Sequence, residues 1–139
     1  MTVKQLNLNA LPSRPATILV VEDDPLLRFG LASDLSDAGF HVREAASADE
    51  AEVVMRSVAV DLIVTDVEMP GSRDGLGLAH YVRSHFPGLP VIVVSGRSTK
   101  SDAAGAADAF FAKPYDITRL IQRVRVLLSA RPQGGKTPA

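Results

Sequence analysis

The chain has 139 residues, a formal net charge of −1 and no cysteine. That length makes one domain with a sizeable core, the near-balanced charge gives no basic footprint for nucleic acid, and the missing cysteines exclude disulfides and thiolate zinc sites. The polar first residues lack the apolar core of a signal peptide, and no run approaches the roughly 20 apolar residues that span a bilayer. A cytoplasmic domain with no nucleic-acid or membrane partner is therefore expected.

Residues 1–15 mix Asn, Gln, Ser and Pro without periodicity and read as a flexible arm. The first strand is expected at 18–22, apolar from Ile18 to Val21 and closed by Glu22, Asp23 and Asp24. A helix opens at Asp24-Pro25, a cap followed by proline at the first helical position. Its apolar stripe is Leu27, Leu31, Leu35 and Ala38, and Gly39 stops it. Residues 40–44 alternate in polarity, as a strand at a sheet edge does, and Ser47 with Glu50 forms a capping box. The helix it opens buries Ala51, Val54, Met55 and Val58.

The next strand, 62–65, runs into Asp66, and a third helix follows from about 76 to 85 with Leu78, Val82 and Phe86 inward. A fourth strand at 91–94 ends at Ser95-Gly96. The stretch from there to Ala109 is rich in Ser, Gly and Ala and fits only a short helix. A strand at 109–111 ends near Lys113-Pro114. After an Asp116 cap, the last helix carries Ile117, Leu120, Ile121, Val124, Leu127 and Leu128. Residues 130–139, full of breakers, read as a flexible tail. Continuously apolar strands are covered on both faces, and their alternation with helices is the pattern of βα units around a parallel sheet.

In such a sheet the strand ends meet at the carboxyl edge, where open α/β folds bind ligands. Asp24 is explained as a cap, but a strand end needs no Glu22 or Asp23. Adding Asp66 on the neighbouring strand sharpens the question, because two carboxylates about 4 Å apart repel by roughly 4 kcal/mol at an effective dielectric of 20. A cation or a raised pKa relieves that cost, and an all-oxygen site with room for a phosphate suits Mg²⁺. Alone, Lys113 is a surface lysine before a loop proline, and Ser95 is an ordinary turn serine. Beside the carboxylates, Lys113 becomes an ammonium able to grip a phosphoryl oxygen, and Ser95 a hydroxyl able to bond the same group. A cis bond at Lys113-Pro114 would aim the lysine.

Taken in order, Ile18-Leu19-Val20-Val21-Glu22-Asp23-Asp24, Val64-Thr65-Asp66-Val67-Glu68-Met69-Pro70-Gly71, Asp74-Gly75-Leu76, Ser95 and Phe110-Phe111-Ala112-Lys113-Pro114 resemble the receiver domain of two-component response regulators. The resemblance covers residues 16–129. It implies an α/β, flavodoxin-like (βα)5 three-layer sandwich with a five-stranded parallel sheet of order 2-1-3-4-5. It also implies Asp66 as phosphoacceptor, with Mg²⁺ held by Asp23 and Asp66, by Glu22 through water and by the Glu68 backbone carbonyl. Lys113 would pair with the phosphoryl group, Ser95 would be the switch hydroxyl and Phe110 the switch aromatic. The implied partners are a histidine kinase or histidine phosphotransfer protein and a downstream protein target.

Three departures from the family pattern stand out. The loop from Pro70 to Gly75 is one residue longer than usual, which would set Arg73 beside the acceptor. The segment from Ser95 to Lys113 is shorter by about one helical turn, so the fourth helix should be abridged. Gly96 follows the switch hydroxyl where alanine is common. Glu68 and Arg97, each two residues past a site residue, are expected to flank the entrance and modulate phosphate loss. His41, His80 and His85 show no metal spacing, and Phe111 and Tyr115 read as core.

The expectation is a stand-alone regulator that catalyses only its own phosphorylation and dephosphorylation and is not a conventional enzyme. A degenerate receiver that binds partners without phosphorylation is the main alternative, opposed by the presence of Glu22, Asp23, Asp66, Ser95 and Lys113. An aspartyl-phosphate phosphatase is weaker, because its second aspartate would stand where Glu68 does. A dinucleotide-binding domain lacks its Gly-rich turn.

Overall fold

The computed structural model describes residues 14–71, 73–97 and 105–130. In chain order the elements are β1 (Thr17–Val21), α1 (Pro25–Asp37), β2 (His41–Ala45), α2 (Ala48–Ser57), β3 (Leu62–Asp66), α3 (Gly75–His85), β4 (Val91–Ser95), β5 (Ala109–Ala112) and α4 (Ile117–Ala130). The expected abridged helix between β4 and β5 falls mainly on residues 98–104, outside the described residues, as do nearly all of the expected arm and tail.

All strands run parallel, in the order β2-β1-β3-β4-β5. This is the flavodoxin-like sheet expected, with β2 at an edge. Side chains alternate across it. Leu19, Val21, Ile63, Val91 and Val93 face α2 and α3, where Ala51, Met55, Leu78 and Val82 close one core. Ile18, Val20, Leu62, Val64, Ile92 and Val94 face Leu31 and Leu35 of α1 and Leu120 and Val124 of α4. Each such large side chain, fully buried, contributes about 1.5–3 kcal/mol.

Asp24, Ser47 and Asp116 cap where the sequence places them, and Asp74 adds a cap at the start of α3. Asp24 Oδ1 accepts from the Leu26 and Leu27 amides at 2.9 and 3.3 Å, Ser47 Oγ from Glu50 at 3.1 Å, and Asp74 Oδ1 from Gly77 at 2.9 Å. Each such cap stabilises its helix by roughly 1 kcal/mol. Asp116 Oδ1 accepts from Thr118 at 2.8 Å ahead of α4.

One helical face differs from expectation. Leu27 is 53% exposed, and the buried stripe of α1 is Leu31, Ala32 and Leu35. The first turn of α1 stands at the carboxyl edge beside a cavity of about 460 Å³ that Leu27 shares with Lys113, Pro114 and Tyr115. Periodicity marks the apolar face of a helix, but it does not mark where the sheet beneath it stops.

Candidate functional site

Backbone ladder bonds continue past the strand ends and hold the loops that follow. Glu22 N–H donates to the Ala45 carbonyl at 3.0 Å, Val67 N–H to Val94 at 3.0 Å, and Lys113 N–H to Ser95 at 2.8 Å. Parallel register then brings Glu22, Asp66, Ser95 and Lys113 to one edge. Arg28 of α1, which the sequence reading missed, ties the loop after β1 to the end of β2. Its guanidinium donates to the Glu22 carbonyl at 2.8 Å and to Glu44 Oε1 at 3.1 Å. Only its position one turn after the Asp24 cap could have signalled this.

Lys113 Nζ lies 3.1 Å from Asp66 Oδ2 and 3.3 Å from Glu22 Oε1, and the Lys113-Pro114 bond is cis. Glu22 Oε2 accepts the Asp24 amide at 3.0 Å. Glu22 and Asp66 are both buried. Burial raises the pKa of Glu22, and the charge of Asp66 adds to the rise, against the Asp24 amide and Lys113. Burial likewise raises Asp66, with the charge of Glu68 adding and Lys113 opposing. For Lys113 burial acts downward but is outweighed by the two carboxylates, so its pKa is raised. One lysine thus fails to compensate two buried carboxylates fully.

Asp66 Oδ1 is buried and has no hydrogen-bond partner among the described residues. Glu22, the exposed Asp23 and Asp66 each offer a carboxylate oxygen, all within 4.8 Å of one another. An orphaned acceptor facing an all-oxygen cluster with excess negative charge fits a hard divalent cation such as Mg²⁺.

Glu68 turns toward β4. Ser95 Oγ donates to Glu68 Oε2 at 2.5 Å, and the Gly96 N–H donates to Glu68 Oε1 at 3.4 Å. Arg97 contributes its backbone N–H, which donates to Ser95 Oγ at 3.0 Å, while the residue itself is exposed. Arg73 does not lie beside the acceptor. Its guanidinium pairs with Glu52, approaches Asp49 at 3.9 Å and covers the Tyr81 ring at 4.7 Å. The acidic face of α2 and the aromatic ring of α3 draw the longer loop away from the site.

Two glycines make that loop possible. A β-carbon on Gly75 would fall on the Asp66 carbonyl, and one on Gly77 would meet the Arg73 side chain at 2.9 Å. Phe110 is half-buried against the α2–α3 core, and Phe111 packs on the opposite face with Tyr115 edge-on at 6.4 Å. His41, His80 and His85 are exposed, away from the carboxylates, and His85 stacks on Tyr81 at 4.2 Å.

Comparison with known proteins agrees with this geometry. The sequence profile described as the response regulator receiver domain matches residues 18–125. The chain is 33% identical over 115 residues to the transcriptional regulatory protein PhoP of Escherichia coli K12, covering 80% of this chain and 51% of that one. It spans about half the length of the curated relatives it matches. Among solved structures, the receiver domain of NtrX from Brucella abortus superposes with a TM-score of 0.75 at 36% identity, over 81% of this chain and 98% of that one. The response regulator TrrA of Thermotoga maritima, solved in complex with Mg²⁺-BeF, gives 0.76 at 32% identity, over 81% and 98% of the two chains.

Proposed function

Because this chain belongs to the response regulator receiver domain family, we propose that Asp66 accepts a phosphoryl group from a phosphohistidine of a histidine kinase or phosphotransfer protein. The observation that carries this reading is the buried Asp66 Oδ1, without a hydrogen-bond partner among the described residues and held at the strand edge with Lys113 on the other oxygen. A carboxylate oxygen of Asp66 attacks phosphorus, a P–O bond forms as the P–N bond breaks, and the imidazole leaves with the electron pair. Such transfer depends on positioning and charge neutralisation. Lys113 stands where it can follow a phosphoryl oxygen. Asp23 and Asp66 would hold Mg²⁺ directly, with Glu22 through water and the Glu68 carbonyl. Bound there, Mg²⁺ supplies positive charge to the transferring phosphoryl oxygens.

The product adds about −1.5 to −2 charges and three acceptor oxygens. Ser95 and Lys113 then re-form their bonds around it and bias a pre-existing second arrangement, with Phe110 following Ser95. The phosphoryl group ends on the protein's own side chain, so the chain is a signalling switch that turns over no external product beyond hydrolysis of its own acyl phosphate. Its output is a change in protein contacts or a relay of phosphate. Transcriptional regulators among its relatives are about twice as long as the span they share with it.

The test is incubation with Mg²⁺ and a small acyl phosphate, followed by intact mass and mapping of the modified residue. One phosphoryl group on Asp66, dependent on Mg²⁺ and absent from Asp66→Asn, is expected. Undiminished labelling of Asp66→Asn would sink the reading.

A further inference from the structure

The Ser95 hydroxyl carries a single proton, and that proton is already committed. A carboxylate only accepts hydrogen bonds, so Ser95 Oγ donates to Glu68 Oε2 at 2.5 Å and uses a lone pair to accept the Arg97 N–H at 3.0 Å. The Gly96 N–H, the other donor at this turn, is aimed at the second oxygen of the same carboxylate at 3.4 Å. Ser95 is 1% exposed, so water does not readily offer its hydroxyl a substitute. The Ser95 hydroxyl and the Gly96 amide are thus both held by an anion from the chain itself.

We infer that Glu68 is an internal competitor for the phosphoryl group: its carboxylate occupies the Ser95 and Gly96 donors, and phosphorylation activates the protein only by evicting it. The inference rests on the reading of Asp66 as acceptor. Two forces act in the eviction. The new phosphoryl charge repels Glu68 from the same edge, and the phosphoryl oxygens offer Ser95 an acceptor of higher charge. Glu68 therefore acts as a positioning residue, holding the hydroxyl in the resting arrangement and setting how strong an anion must be to capture it. A carboxylate on these donors is a stronger competitor than an amide of the same shape, since charge-assisted bonds are roughly twice as strong as neutral ones.

The experiment measures binding of beryllofluoride with Mg²⁺, a non-covalent phosphoryl mimic, by titration calorimetry on the full chain. Glu68→Gln and Glu68→Ala are each expected to tighten binding, the alanine variant by about tenfold. In a Ser95→Ala background the same changes should have little effect, because the contested proton is gone. A merely electrostatic role for Glu68 would give the same gain in both backgrounds, and that result overturns the inference. Unchanged or weaker binding by both Glu68 variants overturns it as well.

A second readout needs neither metal nor anion. In the free protein, the Gly96 and Arg97 amide resonances of Glu68→Gln should move toward their positions in the beryllofluoride-bound wild type, and stationary resonances count against it. Wild-type protein that binds no beryllofluoride removes the reading of Asp66 and this inference together. Wild-type binding that Glu68 leaves untouched removes this inference alone.

Discussion

Gly75 leans directly on the acceptor's backbone: a β-carbon at that position would fall 1.9 Å from the Asp66 carbonyl oxygen. The Gly75 N–H also donates to the Val67 carbonyl at 3.0 Å, so the start of α3 is pinned to the end of β3. Gly75→Ala must push the two apart. A stability loss of about 1–3 kcal/mol, typical of overpacking, is expected in denaturant titrations. Phosphorylation by a small acyl phosphate should slow with it, because the displaced backbone belongs to Asp66 and carries its carboxylate along.

The raised carboxyl pKa values set the sign of the pH response. Burial makes the folded state hold protons on Glu22 and Asp66 at pH values where the unfolded chain has lost them. Without metal, their contribution to stability falls as pH rises from the ordinary carboxyl range, about 4, through the raised folded values. At neutral pH, metal-free Asp66→Asn is therefore expected to melt above the wild type. Mg²⁺ should stabilise the wild type and not this variant, and its gain should fade on acidification as protons compete for the same oxygens. Scanning calorimetry with Mg²⁺ and with a chelator, at several pH values, checks both signs.

Lys113 acts in the other direction. Its folded pKa is raised, so the stability it brings is complete below the ordinary lysine value of about 10.4 and is lost as pH climbs through the folded value. Lys113→Met leaves Asp66 and Glu22 without their cation at 3.1 and 3.3 Å. The loss should stay below the about 3–5 kcal/mol of a fully buried pair, since the lysine side chain is partly exposed. Excess Mg²⁺ should recover part of that stability but not the phosphorylation rate.

Arg73 gives a prediction that separates loop architecture from chemistry. Its guanidinium belongs to Glu52 and Tyr81. Arg73→Ala and Glu52→Ala should each cost about 1 kcal/mol and be non-additive together. The rate of Asp66 labelling should stay within about twofold of wild type, less than 1 kcal/mol in the barrier. A loss of tenfold or more would place Arg73 back beside the acceptor.

Much of the fold and of the site is legible in the sequence. Strands covered on both faces announce themselves as unbroken apolar runs, and Asp24, Ser47 and Asp116 are legible as caps because capping is local chemistry. Glu22, Asp66 and Lys113 were legible because carboxylates and an ammonium at strand ends have no bland explanation in combination. What escaped depended on three-dimensional neighbours. The exposure of Leu27 depends on where the sheet ends, the direction of Arg73 on Glu52, 21 residues earlier in the chain, and the Glu68 bond to Ser95 on the loop after β3 meeting the end of β4. Residue type limits what a side chain can do, but only tertiary contact decides which partner it takes.

Phe110 and Phe111 are consecutive on an edge strand and enter opposite cores, one facing α2 and α3, the other α1 and α4. Among the described residues no strand lies beyond β5, which pairs with β4. A twist of β5 about its own axis would press one ring inward while it draws the other out. Such a strand would act like a see-saw pivoted on β4, so one event at the Lys113 end would be written on the two faces of the molecule with opposite sign.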